Sequence, residues 1–135
     1  MKYKFPLTTL IFTLSLIINA YSQTWYSRAN GNWNAIASWS ATSGGPAGAS
    51  VPVAGDTVVI ERGFDITVTG TQECDTLTIN GAALIINGGS LTVSSGMYVD
   101  GNFGKDSKFT MTGGTATFNG DVTCFSDEKN GKIAL

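Results

Sequence analysis

One short word recurs through the middle of this chain: an apolar, polar, apolar triplet closed by a turn. It is spelled Val58-Val59-Ile60, Ile66-Thr67-Val68, Leu77-Thr78-Ile79, Leu84-Ile85-Ile86, Leu91-Thr92-Val93, Met97-Tyr98-Val99, Phe109-Thr110-Met111, Ala116-Thr117-Phe118 and Val122-Thr123-Cys124. Apolar residues two apart share one face of a strand, so each word predicts a short strand with one side buried and the other wet. A chain written this way is all-β, and the spacing of its words decides how the strands are joined.

The words fall into columns with a common period. Val58, Leu77, Met97 and Ala116 begin words at steps of 19, 20 and 19 residues; Ile66, Leu84, Phe103 and Val122 follow at 18, 19 and 19; Leu91 to Phe109 is a step of 18. Asn80-Gly81, Asp100-Gly101 and Asn119-Gly120 then form a ladder of corners after the first column. Asn, Asp and Gly tolerate the left-handed backbone of a sharp corner, and stacked Asn side chains can hydrogen-bond from rung to rung. A fixed period near twenty residues with tight turns predicts a parallel β-solenoid, here a right-handed parallel β-helix of about three and a half short rungs. The rival is an antiparallel sandwich, for which Asn80-Gly81 is a strong hairpin signal. Sandwich strands usually recur at about 8–12 residues, whereas these words recur closer together beneath a longer period, and that favours the solenoid.

Four segments follow: 1–22, 23–55, 56–124 and 125–135. In the first, Lys2 and Lys4 precede an apolar run from Leu7 to Ile18, and Ala20-Tyr21-Ser22 carries small residues where a signal peptidase reads. This is a secretory signal peptide cleaved before Gln23. The run falls short of the roughly twenty residues that span a bilayer, so no membrane span is expected after cleavage. Without Lys2 and Lys4 the chain has six basic residues against ten acidic ones and no basic patch, which argues against nucleic acid as a partner.

Segment 23–55 holds all three tryptophans, Trp25, Trp33 and Trp39. Large aromatics outside the repeat suit a cap over the open top of a solenoid core. The alternative is a platform for glycan contact, because an exposed indole face fits the apolar side of a pyranose ring. Segment 125–135 is too short for another rung, so either it folds over the open end, or another chain continues the sheet, or the chain is the leading piece of a longer protein; Asn130-Gly131-Lys132-Ile133, which reads as the start of a rung, favours the last.

Trp33-Asn34 with Ala37-Ser38-Trp39-Ser40, Val51-Pro52-Val53-Ala54-Gly55-Asp56-Thr57-Val58-Val59-Ile60, Ile66-Thr67-Val68 and Leu77-Thr78-Ile79 resemble the N-terminal region of large secreted β-helix surface proteins of Bacteroidetes. The same words are similar to the extracellular domain named for its eight glycines. The resemblance covers roughly Trp25 to Cys124. It implies a signal peptide leading into a β-helix, and in that family a C-terminal sorting domain of the type IX kind often follows much later.

Residues that carry chemistry are sparse. There is no His, which removes the commonest general base and His metal sites. No Gly-X-Ser-X-Gly elbow occurs, and Gly88-Gly89 and Gly113-Gly114 lack the Lys of a phosphate loop. The acidic residues are scattered, and the ladder Asn80, Asp100, Asn119 has one charged member. It is read as turn chemistry, with calcium the one ion it could engage and no cofactor otherwise expected. Cys74 and Cys124 lie about two and a half rungs apart, on the order of 12 Å at strand spacing, beyond the roughly 7 Å a disulfide allows, so two free thiols are expected. Cys124 holds an inward position of its word. These readings point to a secreted, non-enzymatic scaffold or adhesion segment at the cell surface or outside the cell, with an extracellular polysaccharide or a surface partner as ligand. The alternative is a carbohydrate-binding module or the N-terminal part of a polysaccharide-degrading β-helix enzyme.

Overall fold

The computed structural model describes residues 21–101, 106–125 and 131–134. The apolar run of the leader, Phe103 and most of the tail lie outside the described residues. The fold is all-β: a curled, mostly parallel sheet with one antiparallel pair and, among the described residues, no α-helix. Its strands are β1 (Thr24–Ser27), β2 (Gly31–Asn32), β3 (Trp39–Ser40), β4 (Thr57–Ile60), β5 (Asp65–Val68), β6 (Thr71–Asn80), β7 (Ala83–Asp100), β8 (Ser107–Phe118), β9 (Asp121–Phe125) and β10 (Gly131–Ala134). A 3-10 turn, Ile36–Ser38, precedes β3.

The words stack in three columns. In the first, Trp25 of β1 pairs with Val58, Val58 with Leu77, Leu77 with Met97 and Met97 with Val122. In the second, Ile66 pairs with Leu84, Leu84 with Phe109 and Phe109 with Ile133. In the third, Cys74 pairs with Val93 and Val93 with Phe118. Strands β6, β7 and β8 bend from one column into the next. Register slips accompany the bends between Cys74 and Thr76 and around Asn87, where an extra residue lets the chain turn a corner without losing its ladder.

Apolar first and third positions meet inside. Val58, Ile60, Ile66, Val68, Leu77, Ile79, Leu84, Ile86, Val93, Met97 and Val99 are fully buried and share one core with the three tryptophans. Each buried aliphatic side chain contributes roughly 1.5–3 kcal/mol. Thr67, Thr78, Thr92 and Thr110 alternate outward, which gives the sheet its hydroxyl-bearing exterior.

Within segment 23–55, β1 and β2 pair in parallel with β4 and β5 and so begin the first and second columns. The antiparallel β1–β3 pair then covers that end. The lower register differs from the expected one: Phe109 lies below Leu84, Ala116 below Leu91 and Val122 below Met97. The cause is the stretch 101–106, which lengthens the circuit from 18–20 residues to 25 and shifts every later word by one column. Ser107, fully buried, anchors the far side of that stretch: its hydroxyl accepts from Gly81 N at 2.7 Å, and it reaches the carbonyls of Ile79 and Asp100.

Both cysteines are free. Cys74 is the buried one, in the third column. Cys124 is exposed, because no further word covers its inward-facing row among the described residues. Burial pushes the Cys74 thiol from 9.0 up to about 12, with the charges of Asp75 and Asp56 adding to it. Native alkylation is therefore expected to label Cys124 alone, with Cys74 reacting only on unfolding; peptide mass mapping checks this. A thiol held neutral in the fold contributes its full stability below pH 9.0 and loses it as the pH rises toward 12. Cys74→Val should flatten that alkaline loss in urea titrations compared across this window.

Candidate functional site

The three tryptophans do not form a platform. Trp33 and Trp39 are fully buried and Trp25 is 4% exposed, so none offers a ring face to a sugar. Their N–H groups are spent inside: Trp25 Nε1 donates to Asp56 Oδ2 at 2.9 Å, Trp39 Nε1 to the Trp33 carbonyl at 2.6 Å and Trp33 Nε1 to the Pro52 carbonyl at 3.4 Å. Trp33 and Trp39 meet edge to face, ring centres 5.2 Å apart. The expectation of glycan contact at Trp25, Trp33 and Trp39 gives way to a structural role.

The corner ladder is shorter than its spacing promised. Asn80 and Asp100 are lateral partners, and Gly81 N donates to the Asp100 carbonyl at 3.2 Å. Asn119 stands at a different corner, its N–H on the Val93 carbonyl, and the residue below Asp100 is Phe125. The displacement follows from the same long circuit. Among the described residues no group of three metal-ligating side chains gathers.

What the outer surface does offer is an open depression of about 750 Å³ along the second column. Its floor is Gly81, Ala82 and Ala83, small enough to leave a hollow, and its polar lining includes Asp65, Asp106, Lys108, Thr110 and Thr112. Asp65, Ala83 and Lys108 follow one another down the sheet, as do Thr67, Ile85 and Thr110. Carboxylates, an ammonium and hydroxyls in rows at strand spacing can exchange hydrogen bonds with a ligand that is itself rich in hydroxyls or amides.

On the outer face of the first column, Tyr98 and Phe125 stack with ring centres 6.3 Å apart and planes within 12°. Tyr98 is 38% and Phe125 54% exposed. Sequence reasoning passed over both. Tyr98 sits in the outward slot that Thr fills in most words, and Phe125 follows Thr123 by the same alternation; an aromatic in a polar slot was the available signal. The chain matches no family model, no curated protein and no solved structure. Among the described residues no helix is long and apolar enough to cross a membrane.

Proposed function

We propose that this chain is the leading segment of a secreted, non-enzymatic β-helix of right-handed winding, working as a scaffold or adhesion element at the cell surface or beyond it. The observation that carries the reading is the parallel register of the outward row Val59, Thr78, Tyr98, Thr123, a rigid line of side chains at strand spacing. Three of its four members, Thr78, Tyr98 and Thr123, carry hydroxyls, so the row offers repeated hydrogen-bonding groups at strand spacing and needs no chemistry of its own. The leader of 1–22 and the resemblance to secreted Bacteroidetes surface proteins supply location.

A second reading, carbohydrate binding, is favoured by the exposed, stacked Tyr98–Phe125 pair. A ring face on a hydroxyl-bearing surface is the chemistry that holds a pyranose. Pull-down on insoluble polysaccharides tests both. Under the binding reading, Tyr98→Ala and Phe125→Ala each weaken retention roughly tenfold, about 1.4 kcal/mol, with an unchanged strand spectrum. Retention by none of the polysaccharides leaves the scaffold reading, and retention indifferent to both substitutions sinks the aromatic platform.

A further inference from the structure

Asp56 is a nearly buried carboxylate, 6% exposed, whose three donors are all neutral N–H groups in this chain. Gln23 N reaches Oδ1 at 3.0 Å, while Trp25 Nε1 and Val53 N reach Oδ2 at 2.9 and 3.0 Å. The Gln23 carbonyl in turn accepts from Thr57 N at 2.9 Å, so the backbone of Gln23 is pinned on both sides. Burial first, and then the charges of Asp75 and Asp56, raise the nearby Cys74 thiol. Tyr21 and Ser22, just upstream, are exposed and line a shallow hollow over the same carboxylate. The peptide nitrogen that touches Asp56 is the one that cleavage before Gln23 would free.

We propose that leader removal leaves the new α-ammonium of Gln23 seated on the Asp56 carboxylate, and that this ion pair keeps Gln23 an open-chain glutamine. The inference rests on the cleavage site read above. An N-terminal glutamine otherwise cyclises: its neutral amine attacks its own side-chain carbonyl carbon, the N–Cδ bond forms, the Cδ–Nε2 bond breaks and ammonia leaves, giving pyroglutamate. Only the unprotonated amine can attack. A carboxylate at hydrogen-bond distance holds the proton on the amine, and a buried charge so compensated is no longer a cost to the fold. A tenfold smaller share of neutral amine corresponds to about 1.36 kcal/mol in favour of the ammonium. The tie from Thr57 N adds to this by restraining the backbone that cyclisation must bend.

The test is intact mass spectrometry of the full chain expressed with its own leader in a secreting host. The product is expected to begin at Gln23 at full mass, not lighter by one ammonia. During warm incubation at neutral pH the folded protein should cyclise roughly tenfold more slowly than the same protein held in urea, and Asp56→Asn, which keeps an oxygen acceptor but no charge, should remove most of that protection. Should Asp56→Asn fail to fold, the folded-against-urea comparison decides alone. Recovery as pyroglutamate, or equal rates folded and unfolded, overturns the proposal. A product beginning elsewhere overturns the cleavage site instead, and the amine contact is then measured on chain released with Gln23 first by a site-specific protease.

Discussion

Replacing Trp39 with alanine is expected to cost about 4 kcal/mol, the middle of the range for a buried aromatic in a packed core. The indole is fully buried, lies edge-on to Trp33, and closes the end of the sheet through the antiparallel pairing of β3 with β1. Alanine would leave a ring-sized void and strand the Trp33 carbonyl, which accepts from Trp39 Nε1. Trp39→Phe separates the two terms, since it keeps much of the ring and loses the hydrogen bond; about 1–2 kcal/mol is expected. Urea unfolding at equal m-value measures both. A loss below about 1 kcal/mol for the alanine variant would mean that the tryptophans are not the closure of the core. Polysaccharide retention, if present at all, should survive Trp39→Phe, because the ring it replaces has no solvent face.

The alternation of the words was enough to name most of the core: Val58, Ile66, Leu77, Leu84 and their partners two residues on are inside because a strand repeats every second residue. Period also named the upper lateral neighbours, since circuits of 19 and 20 residues place Val58, Leu77 and Met97 in line. It failed below Asp100. Counting Phe103 as the start of a word keeps the period even across residues 101–106, and that slides Phe109, Ala116 and Asn119 into the wrong columns. The tryptophans show a different limit. Their type and clustering suit both a cap and a sugar platform, and only burial distinguishes the two. Tyr98 and Phe125 were hidden for the converse reason: a residue that breaks an outward polar row is visible in the sequence, but whether its ring stays open to solvent depends on neighbours one circuit away.

Glycines at the corner between the second and third columns supply the other large effect. Gly70, Gly89 and Gly114 follow one another down the sheet, in step with the strands beside them. A β-carbon on Gly89 would lie 2.5 Å from the Gly70 carbonyl oxygen, 2.7 Å from the Thr69 carbonyl carbon and 2.8 Å from Gly70 N. All three are backbone atoms held in a ladder, with Gly70 O already accepting from Ser90 N, so they cannot swing aside as a side chain would. Gly89→Ala is therefore expected to cost about 3 kcal/mol as overpacking, with the corner forced open by the width of a methyl group. Its neighbour Gly88 isolates the alternative cause. There φ is +79° and nothing lies within 4 Å of an added β-carbon, so Gly88→Ala meets only the left-handed backbone penalty, about 1 kcal/mol. Urea midpoints for the two variants should thus differ by more than their adjacency suggests. If Gly89→Ala proves no worse than Gly88→Ala, the close approach of successive circuits is looser than these distances, and the corner owes its glycines to conformation alone. If the ordering holds, the close contact of successive backbones at Gly70 and Gly89 admits nothing larger than glycine at that turn.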